Sequence, residues 1–260
     1  MTTTAELRAR ADRLRALHRP GQPVILPNVW DAATARAVEA AGFAAVATSS
    51  SAVAATLGYE DGERAPAEEM FAAAARVTQA VQLPVTLDAE AGYGLPAGEL
   101  VRRLLAVGAV GCNLEDSDHR AGGLRAAEAQ AAWLAEVRSA ADAAGVPLVI
   151  NARVDVHLRA AGPPESRLGE AVRRGRAYLA AGADCVYPIM VGDELTIGGL
   201  VDGIGGAVNI LFRPGGPSLA RLAELGVARV SYGGGTHAIV GRAFSAALER
   251  IRAGQDPFSG

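Results

Sequence analysis

Residues 85–116 read VTLDAEAGYGLPAGELVRRLLAVGAVGCNLED, and this stretch decides the fold. It opens on the apolar run Val85-Thr86-Leu87 and breaks into a polar, glycine-rich turn. A helix-period segment follows from Gly98 to Val107, stops at Gly108, and gives way to a second apolar run, Val110 to Leu114. Runs that are apolar on both faces suit strands buried on both sides of a parallel sheet. Glycine just past a helix accepts the left-handed C′ conformation without a Cβ penalty. A strand, a helix and a strand in this order imply a right-handed parallel crossover.

The same unit recurs in both directions. The other apolar runs are Val24-Ile25-Leu26, Ala44 to Ala47, Leu148-Val149-Ile150, Cys185-Val186-Tyr187, Val208 to Phe212 and Arg229-Val230-Ser231, which makes eight in all. The expected helices are Ala32 to Ala41, Ala67 to Val81, Gly98 to Val107, Ala126 to Ala144, Leu168 to Ala181, Asp193 to Val201, Ser218 to Leu225 and Thr236 to Ala253. Gly42, Gly145, Gly182 and Gly226 repeat the stop seen at Gly108. Eight such units close into an α/β fold of the (β/α)8 TIM-barrel type. An open doubly wound sheet is the alternative, but no GxGxxG follows the first strand to support its dinucleotide-binding form. Ala5 to His18 predicts an extra helix within an N-terminal extension, residues 1–20, closing the barrel bottom. With no linker in view, residues 1–260 are expected to form one domain.

Half of the 260 residues are hydrophobic, enough for a large core, and the net charge of −3 comes with no basic stripe. Nucleic acid is therefore not an expected partner. Cys112 and Cys185 both sit in apolar runs and read as buried core thiols in a reducing compartment. The N-terminus is Arg-rich without a signal-like apolar segment, and no uncharged stretch is long enough for a bilayer. A soluble, cytoplasmic protein without membrane association is expected.

In a barrel, the chemistry gathers just past the strand C-termini. Those positions hold Asn28, Trp30 and Asp31; Ser49, Ser50 and Ser51; Asp88 and Glu90; Glu115 and Asp116; Asn151, Arg153 and Asp155; Tyr187; Asn209 and Arg213; and Gly233-Gly234-Gly235. Four carboxylates on two adjacent strands repel one another unless a cation neutralises them. An oxygen-only donor set without clustered His or Cys selects Mg²⁺, or Mn²⁺, over zinc. The plainer alternative makes Asp88 or Asp116 a helix cap. Arg153 suits a substrate carboxylate, or else an ion pair that holds the acids in place. The serine triplet offers an anion pocket or a simple turn, and the glycine triplet a phosphate cradle or a tight turn.

At these residues the chain resembles the isocitrate lyase/phosphoenolpyruvate mutase superfamily over nearly its whole length. The resemblance rests on Pro27 to Ala32 (PNVWDA), Ser49 to Gly62 (SSSAVAATLGYEDG), Leu87 to Gly94 (LDAEAGYG), Asn113 to Asp116 (NLED) and Asn151 to Asp155 (NARVD). It implies that Asp88 contacts Mg²⁺ while Asp61, Glu90 and Glu115 hold it mostly through water. It also implies that Ser49, Ser50 and Ser51 line the substrate pocket and that Arg153 binds a substrate oxygen. Trp30 and Asn209, at strand ends, are further candidates for substrate binding, and Asp61 and His119 join Arg153 as candidate catalytic residues. A 2-oxo acid chelates Mg²⁺ through carboxylate and carbonyl oxygens, and the metal serves as Lewis acid for an enolate. The resemblance further implies a homodimer or homotetramer in which the last helix, residues 236–253, packs on a neighbouring subunit.

The chain departs from that pattern in one loop. The lyases carry Lys-Lys/Arg-Cys-Gly-His after the fourth strand, with the cysteine acting in proton transfer; here the loop reads Ser117-Asp118-His119-Arg120-Ala121-Gly122-Gly123-Leu124. The Lys and Asn-Ser element of the mutases and phosphonopyruvate hydrolases is missing too, and Tyr187-Pro188-Ile189 replaces the lyase Phe-Pro-Glu. His119 is the obvious replacement acid or base, although a solvated loop histidine is the simpler expectation. The glycines after it would let the loop move as a lid. The expected function is a Mg²⁺-dependent lyase or decarboxylase cleaving a C–C bond in a small 2-oxo or 2-hydroxy dicarboxylic acid. The alternatives are P–C bond chemistry on phosphoenolpyruvate or phosphonopyruvate, and a non-catalytic 2-oxo acid binding protein.

Overall fold

Pro27 has no N–H to donate, and it cuts the first strand into β1 (Val24–Leu26) and β2 (Asn28–Val29). That break organises the sheet of this computed structural model, which describes residues 2–258; Met1, Ser259 and Gly260, part of the expected domain, lie outside the described residues. The remaining strands are β3 (Val46–Thr48), β4 (Val85–Asp88), β5 (Gly111–Glu115), β6 (Val149–Val154), β7 (Cys185–Pro188), β8 (Asn209–Leu211) and β9 (Arg229–Ser231). One arc runs β2-β3-β4-β5-β6-β7 and the other β1-β9-β8, all pairs parallel. The arcs meet at Pro27 on one side and through a single parallel bridge, Val186 to Val208, on the other. The expected (β/α)8 barrel is therefore present in a TIM-barrel-like form, with two seams in its hydrogen bonding.

Ten helices are formed by the described residues: α1 (Thr4–Ala16), α2 (Ala32–Ala40), α3 (Ser50–Leu57), α4 (Ala67–Gln79), α5 (Ala97–Ala106), α6 (Ala127–Ala143), α7 (Pro164–Ala180), α8 (Glu194–Ile204), α9 (Leu219–Glu224) and α10 (Gly235–Arg252). Seven of the eight outer helices were expected within a few residues of where they lie, and α7 starts four residues earlier because Pro164 suits the first turn. The unexpected element is α3. The serine run is a helix start and not a loop, and Gly58 ends that helix at φ 87°.

As expected, α1 closes the bottom of the barrel. Thr3 and Glu6 form a capping box at its start, and Leu7, Ala11 and Leu14 are buried against Leu26, Ala45, Val110 and Val149. A Cβ at Gly111 would stand 2.8 Å from Leu14 and 3.0 Å from Thr86, so a larger residue there would force those side chains to shift. Cys112 and Cys185 are free and fully buried, and burial pushes both thiols up to about 12, which leaves them unreactive. No helix of the described residues is long and apolar enough to cross a membrane.

The last helix is the exception to this economy. None of its residues is buried, and at its first turn Thr236 Oγ1 donates to Asn28 O and His237 meets the Trp30 ring. Burial on its own barrel, the alternative for its apolar stripe, is not what the fold does.

Candidate active site

The C-terminal ends of β3 and β4 build the floor. Asp88 closes β4 and lies half-buried, with its Oδ2 accepting from Ser50 N at 3.1 Å and Ser50 Oγ at 2.9 Å. Its own N–H donates to Thr48 Oγ1 at 3.0 Å, and Asn113 Nδ2 approaches Oδ1 at 3.4 Å. Here α3 explains the serine run: the first helical residue turns both its N–H and its hydroxyl onto the carboxylate. Ser49 and Ser51 are joined by their hydroxyls at 3.0 Å.

Two residues beyond Asp88, the backbone is forced out of its ordinary range. Glu90 has φ 50°, Tyr93 φ 56° and, on the facing loop, Glu63 φ 58°. Three non-glycine residues in the left-handed region represent strain of the kind that gathers at functional sites. Contacts hold it: the Glu63 N–H donates to the Glu90 carboxylate, and Tyr93 N–H donates to Glu63 Oε1 at 2.5 Å. Burial pushes the Glu90 carboxyl up to about 8, with Asp61, Asp88 and Glu115 adding repulsion against the opposing Glu63 N–H. Asp61, exposed on the same loop, is also raised, first by partial desolvation and then by Asp88.

The wall opposite is cationic. Arg153, on β6, places Nη1 2.5 Å from Glu115 Oε2 and grips Asp155 through Nε at 2.6 Å and Nη2 at 2.9 Å. His119 Nε2 lies 2.6 Å from the other Glu115 oxygen, and its Nδ1 is 3.5 Å from Arg159 Nη2. Its side chain is only 12 % exposed, so His119 is not the solvated loop histidine of the simpler expectation. The hydrogen bond to Glu115 raises the imidazole above its ordinary value against the burial that opposes it. Glu115 itself is raised by burial, which Arg153 and His119 counter.

Other candidates land elsewhere. Asp116 is fully buried and faces away from the floor, accepting from Tyr178 OH at 2.7 Å, Arg174 Nη1 at 2.9 Å and Asp155 N at 2.8 Å. It is neither a helix cap nor a member of the site. Asn209 does not reach the mouth; it is buried inside the barrel and accepts from Ser231 Oγ at 3.2 Å. Trp30 joins the apolar cluster of Ala52, Val53 and Met70 above the serines. The glycine triplet is a turn, since the Tyr232 and Gly233 N–H groups are taken by Asn28 Oδ1 at 2.7 and 2.9 Å. That use of Asn28 gave no signal in sequence, because the residue it ties lies about two hundred positions away. Arg159 was also missed: it lines the mouth and donates to Ser117 Oγ at 2.9 Å, but it lies in a segment read only as a connection.

Asp61, Glu90, Glu115, His119, Arg153 and Arg159 surround a mouth cavity of about 390 Å³. Among the described residues no three acids or histidines converge on one coordinating point. The donor set nonetheless fits a hydrated cation: oxygen only, with three of the four carboxyls raised toward protonation by burial and mutual repulsion. Mg²⁺ keeps several waters, so carboxylates two layers deep can serve it without touching it.

Fold and site together define a TIM-barrel-like α/β protein with carboxylates at its strand ends and an arginine wall facing them. The chain belongs to the phosphoenolpyruvate phosphomutase family, whose model matches residues 14–252, within the isocitrate lyase/phosphoenolpyruvate mutase superfamily. It is 35% identical over 218 residues to an uncharacterised protein of Mycobacterium tuberculosis, covering 84% of this chain and 80% of that one. It is 32% identical over 185 residues to a probable 2-methylisocitrate lyase of Corynebacterium glutamicum, covering 68% of this chain and 58% of that one. Among solved structures, a protein of Burkholderia cenocepacia assigned as a phosphonomutase superposes with a TM-score of 0.88 at 39% identity, over 94% of this chain and 99% of that one. The superfamily comprises lyases and mutases acting on small carboxylic acids.

Proposed function

We propose that the protein is a Mg²⁺-dependent lyase or decarboxylase that breaks a C–C bond in a small 2-oxo or 2-hydroxy dicarboxylic acid. The observation that carries this reading is the Glu115 carboxylate held between Arg153 and His119 at the rim of the carboxylate floor. Mg²⁺ bound near Asp88, with Glu90, Glu115 and Asp61 around its water, would supply the Lewis acid for charge developing on the substrate. Arg153 commits three of its five N–H groups to Glu115 and Asp155, which leaves two for a substrate carboxylate. His119 keeps its Nδ1 free of any carboxylate and can move a proton there, with Glu115 fixing the ring. Ser49 and Ser51 offer hydroxyls to the oxygens of the bound acid.

P–C bond chemistry is the second reading, favoured by the family description and by the phosphonomutase neighbour. Against it, all 25 basic residues of the chain are arginine, so no lysine exists to fill the mutase role at the loop. A panel of acids decides between them: Mg²⁺-dependent turnover is expected on an oxaloacetate-like 2-oxo dicarboxylate, with little on isocitrate, 2-methylisocitrate or phosphonopyruvate. Faster turnover of phosphonopyruvate or phosphoenolpyruvate would establish the second reading. Tight Mg²⁺-dependent binding without turnover of any of them would make the protein a 2-oxo acid binder.

A further inference from the structure

Arg229 lies on β9 inside the barrel and is completely buried. Its Nη2 donates to Asn113 Oδ1 at 3.2 Å, and neither Nε nor Nη1 has a protein partner among the described residues. No carboxylate forms an ion pair with it among those residues either. A guanidinium taken out of water without a counter-charge is expensive, and replacing such a group with an apolar side chain of similar volume is often stabilising. The fold therefore has no packing need for a charge at this position. A local rule broken in this way, with no structural gain, is expected where function requires it.

The neighbours say what it does. Asn113 Oδ1 receives a second hydrogen bond from Asn151 Nδ2 at 2.8 Å. With two donors on its oxygen, the Asn113 amide can face Asp88 only with its NH₂ group, which approaches Asp88 Oδ1 at 3.4 Å. The opposite oxygen of Asp88 is held by Ser50. We infer that Arg229 is a positioning residue of the candidate active site: it holds the Asn113 amide from below and so sets the plane of the Asp88 carboxylate. The inference rests on the reading of Asp88 as the acid that contacts the metal. Groups that orient a metal ligand in this way typically carry roughly 10–100-fold of metal affinity.

The test uses Mn²⁺ alone as probe, with calorimetric titration and thermal unfolding of the wild-type chain, Arg229→Met, Asn113→Leu and the double variant. Arg229→Met should melt at the same temperature as the wild type or higher, and should bind Mn²⁺ about tenfold more weakly. Asn113→Leu should weaken binding similarly, and the double variant should be no weaker than the worse single one, because both act on Asp88 through one amide. Unchanged or tighter Mn²⁺ binding by Arg229→Met would overturn the inference, as would losses that add in the double variant. A lower melting temperature with full Mn²⁺ affinity would make Arg229 merely structural. Should Arg229→Met not fold, Asn113→Leu carries the test, and wild-type affinity in it would be decisive against the inference. A wild-type chain that binds no Mn²⁺ would instead remove the metal reading itself.

Discussion

His119 Nε2 and Glu115 Oε1 lie 2.6 Å apart, across four residues of a loop that leaves the end of β5. The pair orients the ring much as a carboxylate orients a catalytic histidine, with the far nitrogen turned toward Arg159 and the mouth. A positioned proton-transfer group contributes roughly 10²–10⁴-fold in rate. His119→Ala should therefore lower kcat on the best 2-oxo acid by about 10²-fold at saturating Mg²⁺. An unchanged kcat would assign the imidazole to holding the loop.

The metal reading is tested by calorimetric titration of Mg²⁺ in the presence of oxalate. Asp88→Ala should reduce affinity by at least about tenfold, since it removes the one carboxylate expected to touch the ion. Equal binding by the two proteins would remove Asp88 from the metal site.

Much of this was legible in the chain. Alternation of apolar runs and glycine-stopped helices is set by short-range physics, and so the barrel and seven outer helices could be placed within a few residues. The acids of LDAEAGYG and NLED were legible because strand ends are where a barrel keeps its chemistry. What failed depended on direction and distance. Asp116 neighbours Glu115, yet side chains alternate along a strand, and one residue turned it to Arg174 and Tyr178 instead of the floor. The start of α3 was missed, because a run of three serines carries no helix period. Arg229 gave no signal, since its partner Asn113 is 116 positions away.

Asp116, then, predicts a stability effect. It accepts from Arg174, Tyr178 and the Asp155 N–H in a fully buried setting. Asp116→Ala leaves Arg174 its ion pair with Glu170 at 2.7 Å but takes the acceptor from the buried Tyr178 OH and the Asp155 N–H, and a buried donor left unsatisfied costs about 1–3 kcal/mol. Urea unfolding should show that loss. A change below about 1 kcal/mol would mean that water replaces the carboxylate at no cost.

His18 predicts a pH dependence. Its Nδ1 lies 2.9 Å from Leu14 O, while Nε2 is buried without a protein partner among the described residues. Burial, helped by the nearby Arg229 charge, pushes the imidazole down to about 4. Between pH 4 and about 6.5 the unfolded chain binds the proton and the folded one does not. The stabilisation is thus fully present above about 6.5 and is lost as pH falls toward 4. His18→Asn keeps a donor for Leu14 O without a titrating ring, and should flatten that fall by roughly 3 kcal/mol. An identical pH–stability curve for both proteins would show that His18 is protonated without penalty.

The last prediction concerns assembly, and it rests on the last helix. Ile239 is 56 % exposed, Val240 52 %, Phe244 64 %, Leu248 48 % and Ile251 56 %. Val240, Phe244, Leu248 and Ile251 are spaced by four, four and three residues, which lines them along one face of α10. A contiguous apolar stripe of this length on an isolated surface marks an interaction site. Its own barrel does not cover it, because no residue of α10 is buried. A second copy of the chain is the proposed cover, as the superfamily resemblance implies, and light scattering at micromolar concentration should give the mass of a dimer or tetramer. Phe244→Asp puts a charge in the centre of the stripe and should shift the mass toward the monomer. The same variant should keep the Mg²⁺ affinity of the wild type, because Phe244 is exposed on α10 and is not among the residues that line the mouth. A strictly monomeric wild-type chain would refute the assembly, and a Phe244→Asp variant of unchanged mass would move the interface off this helix.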